Sequence, residues 1–519
     1  MTPEQAPLSL APRRRWQRKL LRARQVAGRL LRGDPDPLLR VAAERLVPRL
    51  ELHPGSVGFR WLRLRLLQWQ PGCRSAAGGG DGGVESGGGR GEATARLYWP
   101  SDWPASERRR RRVRRRLAAR LRRSGAALVS CDDWVIGADG RHWWRQKPLH
   151  DPLFDRGSGI GAGPLLASAA LAERLEALAR QPGAPLPHTP AWRELATELA
   201  ADLGGRAHLP LPLLLAPPPV PLPVPLAGAA ASDGGSALAE EPLVSLLIPT
   251  AGTRRRIDGR ERLLVREGLR SLLERSRYRR LEVVLIDGGE LAPDLVAELE
   301  QMVHAALGPG RWQFLRDARP YSYSERINRA AAAARGELLL QLNDDTELLD
   351  PEGITWLVRA LQQEPGVGVV GALLLYPDGP VQHAGVAIDN LAPRHAWAGC
   401  RPQDLPWGTL EHRRRFLAVT AAVCLCRREL WRQLDGLRAE LPINYGDVDF
   451  CLRAAALGQA SILEPRSRWL HFESASRPVD GVPPELPVFA DLWAASLGGR
   501  HGVDPYVSVW RHCLGAPLP

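Results

Sequence analysis

From Pro242 onward the chain alternates two patterns of apolar positions. Short unbroken apolar runs take turns with longer stretches whose apolar residues recur at helical spacing. LVSLLIPT (243–250) reads as a buried strand, and a helical stretch covers about 260–276. LEVVLIDGG (281–289) is a second strand ending in Asp and Gly, and a helix follows near 292–307. WQFLRD is a third strand, Ser324 to Arg335 a helix, and ELLLQLNDD a fourth strand. Strand–helix alternation with short loops predicts a parallel sheet with right-handed crossovers, the α/β class.

Upstream the patterning is different. Trp16, Leu20, Ala23, Ala27 and Leu30 fall at helical spacing in a basic stretch, 13–32, which suits an anionic membrane surface or a solvated surface helix. Residues 72–93 are a Gly-rich loop, and RRRRRVRRR (108–116) lies in a helical stretch running to Arg123. Residues 208–231 are almost wholly apolar, but eight prolines between Pro210 and Pro225 forbid a transmembrane helix. The expected organisation is a basic amino-terminal region (1–71), a flexible loop (72–94), a smaller α/β domain (95–207), a Pro-rich linker (208–240), a larger α/β domain (241–508) and a tail (509–519).

Composition narrows the classes. A chain of 519 residues has room for two to four domains with cores of their own. Seven cysteines, with no CxxC spacing, argue against a disulfide framework or a zinc site and for a reducing compartment. The three arginines at 13–15 are followed by no apolar core, so the start of the chain does not resemble a signal peptide. The net charge of +13 is uneven: residues 1–235 hold 37 basic and 21 acidic side chains, and residues 236–519 hold 33 and 36. Only Lys19 and Lys147 are lysines. No aromatic interleaving and no nucleic-acid motif accompanies the arginine run, so nucleic acid is not an expected partner.

Three strand ends converge in such a sheet: Pro249-Thr250, Asp287-Gly288-Gly289 and Asn343-Asp344-Asp345. An acid after the second strand suits a hydrogen bond to a base or ribose, and the glycines allow close backbone approach. No GxGxxG follows the first strand and no GxxxxGK[ST] appears, which speaks against a dinucleotide site and a P-loop. Adjacent carboxylates at 344 and 345 suit Mg2+ or Mn2+, metals that usually hold phosphates; the competing reading is an Asx turn closing a strand. INYGDVDFCLRAAALG (443–458) puts Asp447 and Asp449 at a helix start. Asp449 better fits capping or a salt bridge to Arg453, and Asp447, in the preceding loop, better fits a general base. WLHFESASR (469–477) puts His471 at a strand end, as a satisfied structural residue or a ligand.

In this order SLLIPT, VVLIDGG, YSYSERINRAAAAARGELLLQLNDDTEL, LLLYPDGPVQHAGVAI, RRRFLAVTAAVCLCRREL, LPINYGDVDFCLRAAALG and LHFESASR resemble family 2 nucleotide-sugar glycosyltransferases of the GT-A fold. The likeness is to the bacterial group, often in tandem domains, that builds O-antigen and other surface polysaccharides, and it covers roughly 242–508. The resemblance implies that Asp287 meets the nucleotide base, that Asn343-Asp344-Asp345 is the DxD element with Asp345 as metal ligand, and that His471 is a second metal or diphosphate contact. It makes Asp447 the base of an inverting transfer and puts Asn328 and Arg335, with Pro249 and Thr250, around the donor. His383, Trp397, Trp407 and Asp449 fall on the acceptor side, where Trp397 and Trp407 suit either stacking on a sugar or packing in the core. The implied partners are Mn2+ or Mg2+, a UDP-, dTDP- or GDP-linked sugar, and a saccharide or lipid-linked acceptor. The implied location is the cytoplasm, with membrane contact through the basic amino-terminal region. Two departures bear on substrate: the usual VTGA reads Val419-Thr420-Ala421-Ala422, and the turn after the second strand reads Asp287-Gly288-Gly289-Glu290.

The first half carries a fainter likeness. ALVSCDDWVIGADGRHWWRQKPLHDP (127–152) is similar to a segment of the leading domain of tandem members, with Cys131 where an acid would stand and only Asp102 kept in RLYWPSDWP. This implies a degenerate glycosyltransferase-like domain; the alternative is an unrelated α/β domain. Two rival functions are a non-catalytic scaffold and a sugar-nucleotide pyrophosphorylase, for which TAGTRRRIDGR (250–260) is the nearest thing to the required loop.

Overall fold

The computed structural model describes residues 95–100, 105–136, 142–145, 147–149, 151–158, 163–215, 241–257, 259–389, 391–405, 409–472, 483–497 and 506. The basic stretch 13–32, the Gly-rich loop, Asp102, Trp407 and the tail therefore lie outside the described residues.

The amino-terminal region runs β1 (Arg96–Tyr98), α1 (Glu107–Ser124), β2 (Leu128–Ile136), β3 (His142–Arg145), α2 (Pro152–Ser158), β4 (Leu165–Ala167), α3 (Ala169–Ala179), α4 (Pro190–Ala201) and β5 (Arg206–Leu215). The sheet order is β1-β4-β2-β3, with β5 parallel to β2 on its other edge. A small core of Leu128, Leu165, Leu171, Leu175, Trp192 and Ala196 lies between this sheet and α3 and α4. The arginine run is helical, as expected: Ser106 caps α1 by accepting from the Arg109 amide, and Gly125 ends it in the left-handed conformation. The apolar, Pro-rich stretch does not begin as a linker at 208. It continues β5 to Leu215, because proline fits an edge strand, and the ladder to β2 shifts register near Pro212.

The second region runs β6 (Val244–Thr250), β7 (Arg254–Ile257), β8 (Arg260–Leu263), α5 (Leu264–Arg275), β9 (Leu281–Asp287), α6 (Pro293–Leu307), β10 (Trp312–Arg316), α7 (Tyr323–Ala333) and β11 (Leu338–Leu342). It continues with β12 (Thr346–Leu348), α8 (Gly353–Gln363), β13 (Val367–Leu375), β14 (Val381–His383), β15 (Val386–Asp389), β16 (Ala392–His395) and β17 (Arg414–Phe416). It closes with β18 (Val423–Arg427), α9 (Arg428–Gln433), α10 (Gly446–Ala456), β19 (Ala460–His471) and α11 (Leu486–Leu497). The main path of the sheet is β10-β9-β6-β11-β18-β13-β19-β12. The first four strands are parallel, as the alternation predicts. The rest is mixed: β18 runs antiparallel to both β11 and β13, while β13 and β19 are parallel.

Side chains alternate across this sheet, and both faces are covered. Val244, Leu246 and Ile248 of β6 share one core with Val265 and Leu269 of α5 and Leu357 of α8. Leu247 faces the other way, with Ile327 of α7 and Phe450 of α10. The order matters for function. From β6 the chain steps to β9 and β10 on one side, then returns to place β11 on the other side. The carboxyl ends of β6 and β11 therefore flank the point where strand order reverses, the crevice in which open α/β sheets bind ligands. Among the described residues no helix is long and apolar enough to cross a membrane.

The two regions meet through α2 and β17. The Arg415 amide donates to Asp151 at 2.8 Å, and the Arg414 guanidinium lies 4.2 Å from the centre of the Phe154 ring. Leu153 packs against the core of the second region.

Candidate active site

Thr250 ends β6, and its hydroxyl donates to the Asp344 carboxylate at 2.6 Å. Pro249 stays buried in the strand behind it. Burial and the neighbouring Asp345 charge push the Asp344 pKa up to about 7, against the pull of the Thr250 hydroxyl and His471. The Asn343–Thr346 stretch is also a turn, as the competing reading held: the Thr346 hydroxyl donates to the Asn343 carbonyl at 2.8 Å. The turn sends the chain back as β12, which pairs with the end of β19 so that Thr346 lies opposite His471. That register brings His471 Nε2 to 3.2 Å from Asp345 Oδ1 and 3.4 Å from the side-chain Nδ2 of Asn343. Glycine is required opposite: a Cβ at Gly268 of α5 would come within 2.8 Å of the Thr346 carbonyl.

Asp345 is 8% exposed, and its Oδ1 receives no hydrogen bond; neither does the buried Nδ1 of His471. A buried carboxylate oxygen without a donor, beside an imidazole nitrogen, is the ligand chemistry a divalent cation takes. Among the described residues no group of three or more His, Cys, Asp or Glu side chains could hold a metal on its own. Mg2+ and Mn2+ commonly take one or two protein ligands and complete their shell with substrate phosphates and water.

Asp447 is in the first turn of α10, not in the loop before it. Tyr445 enters the helix in the left-handed conformation, φ 67°, and supplies no side-chain cap, so the two acids of the first turn face the positive end of the helix. Asp447 Oδ2 accepts from the Ala421 amide at 3.0 Å. The next residue, Ala422, accepts from the Asn343 amide at 3.0 Å. Two consecutive alanines thus join the end of β11 to Asp447. Asp449, fully buried, is an anchor: it holds Arg453 at 2.7 Å, Arg438 at 3.2 Å and the Trp493 indole at 3.1 Å. This is the salt-bridge reading of Asp449, and it takes the residue off the acceptor side.

Several expected site residues are engaged elsewhere. Asp287 is fully buried; its carboxylate accepts from the Glu290 amide at 3.0 Å and sits 3.5 Å from Arg316, so it shapes the turn after β9 and offers no open face to a base. Asn328 clamps Leu437, donating to its carbonyl at 2.7 Å and accepting from its amide at 2.9 Å. Arg335 is at the opposite edge of the sheet, where it pairs at 2.8 Å with Glu282 near the start of β9. Burial pushes the Glu282 carboxyl up, but hydrogen bonds from Ser245 and Arg335 outweigh it and hold the group below its ordinary range. His383 is fully buried, and Trp397, 5% exposed, lies edge-on to Phe416 with Arg414 over its ring at 4.9 Å. Neither is a platform open to a sugar. The TAGTRRRIDGR stretch forms the β7–β8 hairpin and not a Gly-rich phosphate loop.

Sequence reasoning missed Arg326. It is 3% exposed, donates to the Thr250 carbonyl at 3.3 Å and the Asp317 carbonyl at 3.4 Å, and lies 4.7 Å from the centre of the Tyr321 ring. Its Nε receives no partner, and a Cβ at Gly288 would collide with its Nη2. A full positive charge therefore sits under the ends of β6 and β9. The signal was present: Arg326 falls at helical spacing with Ala330 on the buried stripe of α7.

In the amino-terminal region the retained acids are internally engaged. Asp132 lies 2.6 Å from His208 Nε2 and accepts from the Lys147 amide at 3.0 Å, while Lys147 Nζ pairs with Asp133 at 2.8 Å.

An α/β sheet with an acid pair at its switch point is the arrangement that the sequence resemblance implied. Residues 260–390 match the family described as Glycosyl transferase family 2. The chain is 36% identical over 267 residues to an O-antigen biosynthesis protein, RfbC, of Myxococcus xanthus, covering 51% of this chain and 20% of that protein. It is 37% identical over 254 residues to an uncharacterized protein, y4gI, of Sinorhizobium fredii (strain NBRC 101917 / NGR234), covering 47% of this chain and 26% of that one. The matched part is thus about a quarter of the length of one relative and a fifth of the other. Among solved structures, the mannosyltransferase PcManGT from Pyrobaculum calidifontis, in complex with GDP-Man and Mn2+, is 18% identical with a TM-score of 0.34, over 47% of this chain and 59% of that one.

Proposed function

We propose that residues 241–508 form an inverting, metal-dependent glycosyltransferase domain that moves a sugar from a UDP-, dTDP- or GDP-linked donor to a saccharide or lipid-linked acceptor in surface-polysaccharide assembly. The observation that carries this reading is the joint between the two carboxylate sites. Asn343, at the head of the acid pair, and Asp447 are tied to adjacent residues, Ala422 and Ala421. A donor diphosphate held beside Asp345 and an acceptor hydroxyl held beside Asp447 then share one crevice. The match of residues 260–390 to the family described as Glycosyl transferase family 2 supports the same reading.

The residues divide the work. Asp345 and His471 would hold Mn2+ or Mg2+, which neutralises charge on the departing nucleoside diphosphate. The Thr250 hydroxyl and Asp344 line the crevice on the β6 side, and Arg326 adds positive potential beneath the phosphates. Asp447 Oδ takes the proton of the acceptor hydroxyl as that oxygen forms its bond to the anomeric carbon and the carbon–phosphate oxygen bond breaks. One displacement inverts the anomeric configuration. The amino-terminal region, with Asp132 and Asp133 engaged internally, is read as non-catalytic. The basic residues ahead of it are read as the contact to the inner face of the cytoplasmic membrane.

A thermal-shift screen of nucleotide sugars with Mn2+ tests this, because a ligand that binds only the native state raises its melting temperature. One nucleotide sugar that stabilises the protein only with the metal present is the expected result. A folded protein that none of them stabilises would overturn the reading and favour the scaffold.

A further inference from the structure

His383 and His395 meet nitrogen to nitrogen, Nδ1 to Nδ1, at 2.8 Å, with their rings nearly perpendicular at 79°. Two imidazole nitrogens at that distance share one proton, and the contacts of His383 Nε2 show which ring carries it. The amides of Gly385 and Thr420 both reach His383 Nε2, at 3.2 and 3.3 Å. An amide N–H only donates, so this nitrogen is bare. His383 therefore carries its proton on Nδ1 and donates it to His395, whose Nδ1 accepts and whose own proton is on Nε2. Burial, with His395 and His471 nearby, holds the His383 pKa well below the ordinary histidine range, so the ring stays neutral. The turn is built for this contact. Gly385 has φ 98°, and a Cβ there would strike the Phe416 ring.

The consequence falls on the next residue. Thr420 donates to His383, and Ala421, one peptide further, donates to Asp447 Oδ2 at 3.0 Å. The opposite tautomer of His383 would set an N–H against two N–H groups and displace the segment that carries both amides. We propose that His395 is a positioning residue for the transfer reaction: by accepting from His383 it selects the tautomer that holds the Thr420 amide, and so sets the Ala421 amide on Asp447. The inference rests on the reading of Asp447 as the base.

The test compares two replacements. His395→Asn keeps an acceptor oxygen near the place of Nδ1, and His395→Phe keeps the bulk but no acceptor. The expected result is that His395→Phe binds the nucleotide sugar as the wild type does while kcat falls by about tenfold to a hundredfold, and that His395→Asn keeps most of the wild-type kcat. Wild-type kcat in His395→Phe overturns the proposal, as does a His395→Asn variant as impaired as His395→Phe. The tautomers are read separately, without turnover, from long-range 1H–15N spectra of the protein labelled at histidine. A proton on His383 Nε2 overturns the proposal whatever the activity. Wild-type protein with the stated tautomers but no transfer from any nucleotide sugar overturns the role of Asp447, and the role of His395 with it, while leaving the pair itself in place.

Discussion

The Thr250 hydroxyl and the Asp344 carboxylate meet at 2.6 Å across the mouth of the crevice between β6 and β11, from positions 94 residues apart in the chain. This contact is the polar closure of the switch point, and Asp344 stays hard to ionise despite it, with a pKa of about 7.

That shift fixes a pH dependence. An unfolded aspartate loses its proton near pH 4, and the folded protein keeps it until about pH 7. The proton's contribution to stability is fully present below about pH 4 and is lost as pH rises through 7. Asp344→Asn should therefore raise the melting temperature at pH 8 and leave it nearly unchanged at pH 4.5. Equal shifts at both pH values would show that the carboxyl titrates normally.

Asp447→Asn keeps an oxygen for the Ala421 amide but cannot take up the proton of the acceptor hydroxyl. Loss of a general base costs about a hundredfold to ten-thousandfold in rate. Turnover should fall by that factor while the dissociation constant of the donor stays the same. An active variant would remove Asp447 from the chemistry.

Asp345→Ala deletes the buried oxygen that lacks a hydrogen-bond donor. Calorimetric titration with a nucleoside diphosphate should show weaker binding in Mn2+ and little change in EDTA, where the wild type should be equally weak. Wild-type turnover that survives EDTA would sink the metal assignment.

Asn328→Ala leaves both the amide and the carbonyl of Leu437 without their partner. A buried backbone group left unpaired costs about 1–3 kcal/mol, so a clear fall in urea midpoint is expected, with donor affinity unaltered. Weakened donor binding at unchanged stability would return Asn328 to the donor pocket.

Arg335→Gln tests the other end of the sheet. Glu282 is fully buried and would keep Ser245 and the amides of Arg335 and Gly336 while losing its ion pair. A loss of about 1–2 kcal/mol in stability is expected, given that the arginine is half exposed. Donor affinity should stay as in the wild type, and a change there without loss of stability would contradict the placement.

The strands of the parallel half-sheet were legible because each is buried on both faces and so reads as an unbroken apolar run, as β6, β9 and β11 do. Asp345 and His471 were legible as types, but their meeting was not, since it depends on the β12–β19 register. Asn328 and Arg335 show the limit from the other side. Both lie at or just after α7, yet one points to Leu437 and the other to the amino edge of the sheet. A motif gives their spacing in the chain but not which end of a strand they reach. For Trp397 and His383 the pattern left a binding surface and core packing both open, and here His383 is buried against His395 of β16 and Trp397 against Phe416 of β17.

The tie between Asp151 and the Arg415 amide has a consequence for how the chain can be divided. A cut in the Pro-rich stretch would look safe on sequence grounds. It would strip β17 of the acid that holds its backbone and uncover one side of Arg414, now stacked on Phe154. β17 leads straight into the segment that carries Thr420 and Ala421. The larger piece, expressed alone, should therefore be less soluble and slack at Asp447, which would make the amino-terminal region a structural support for the candidate site.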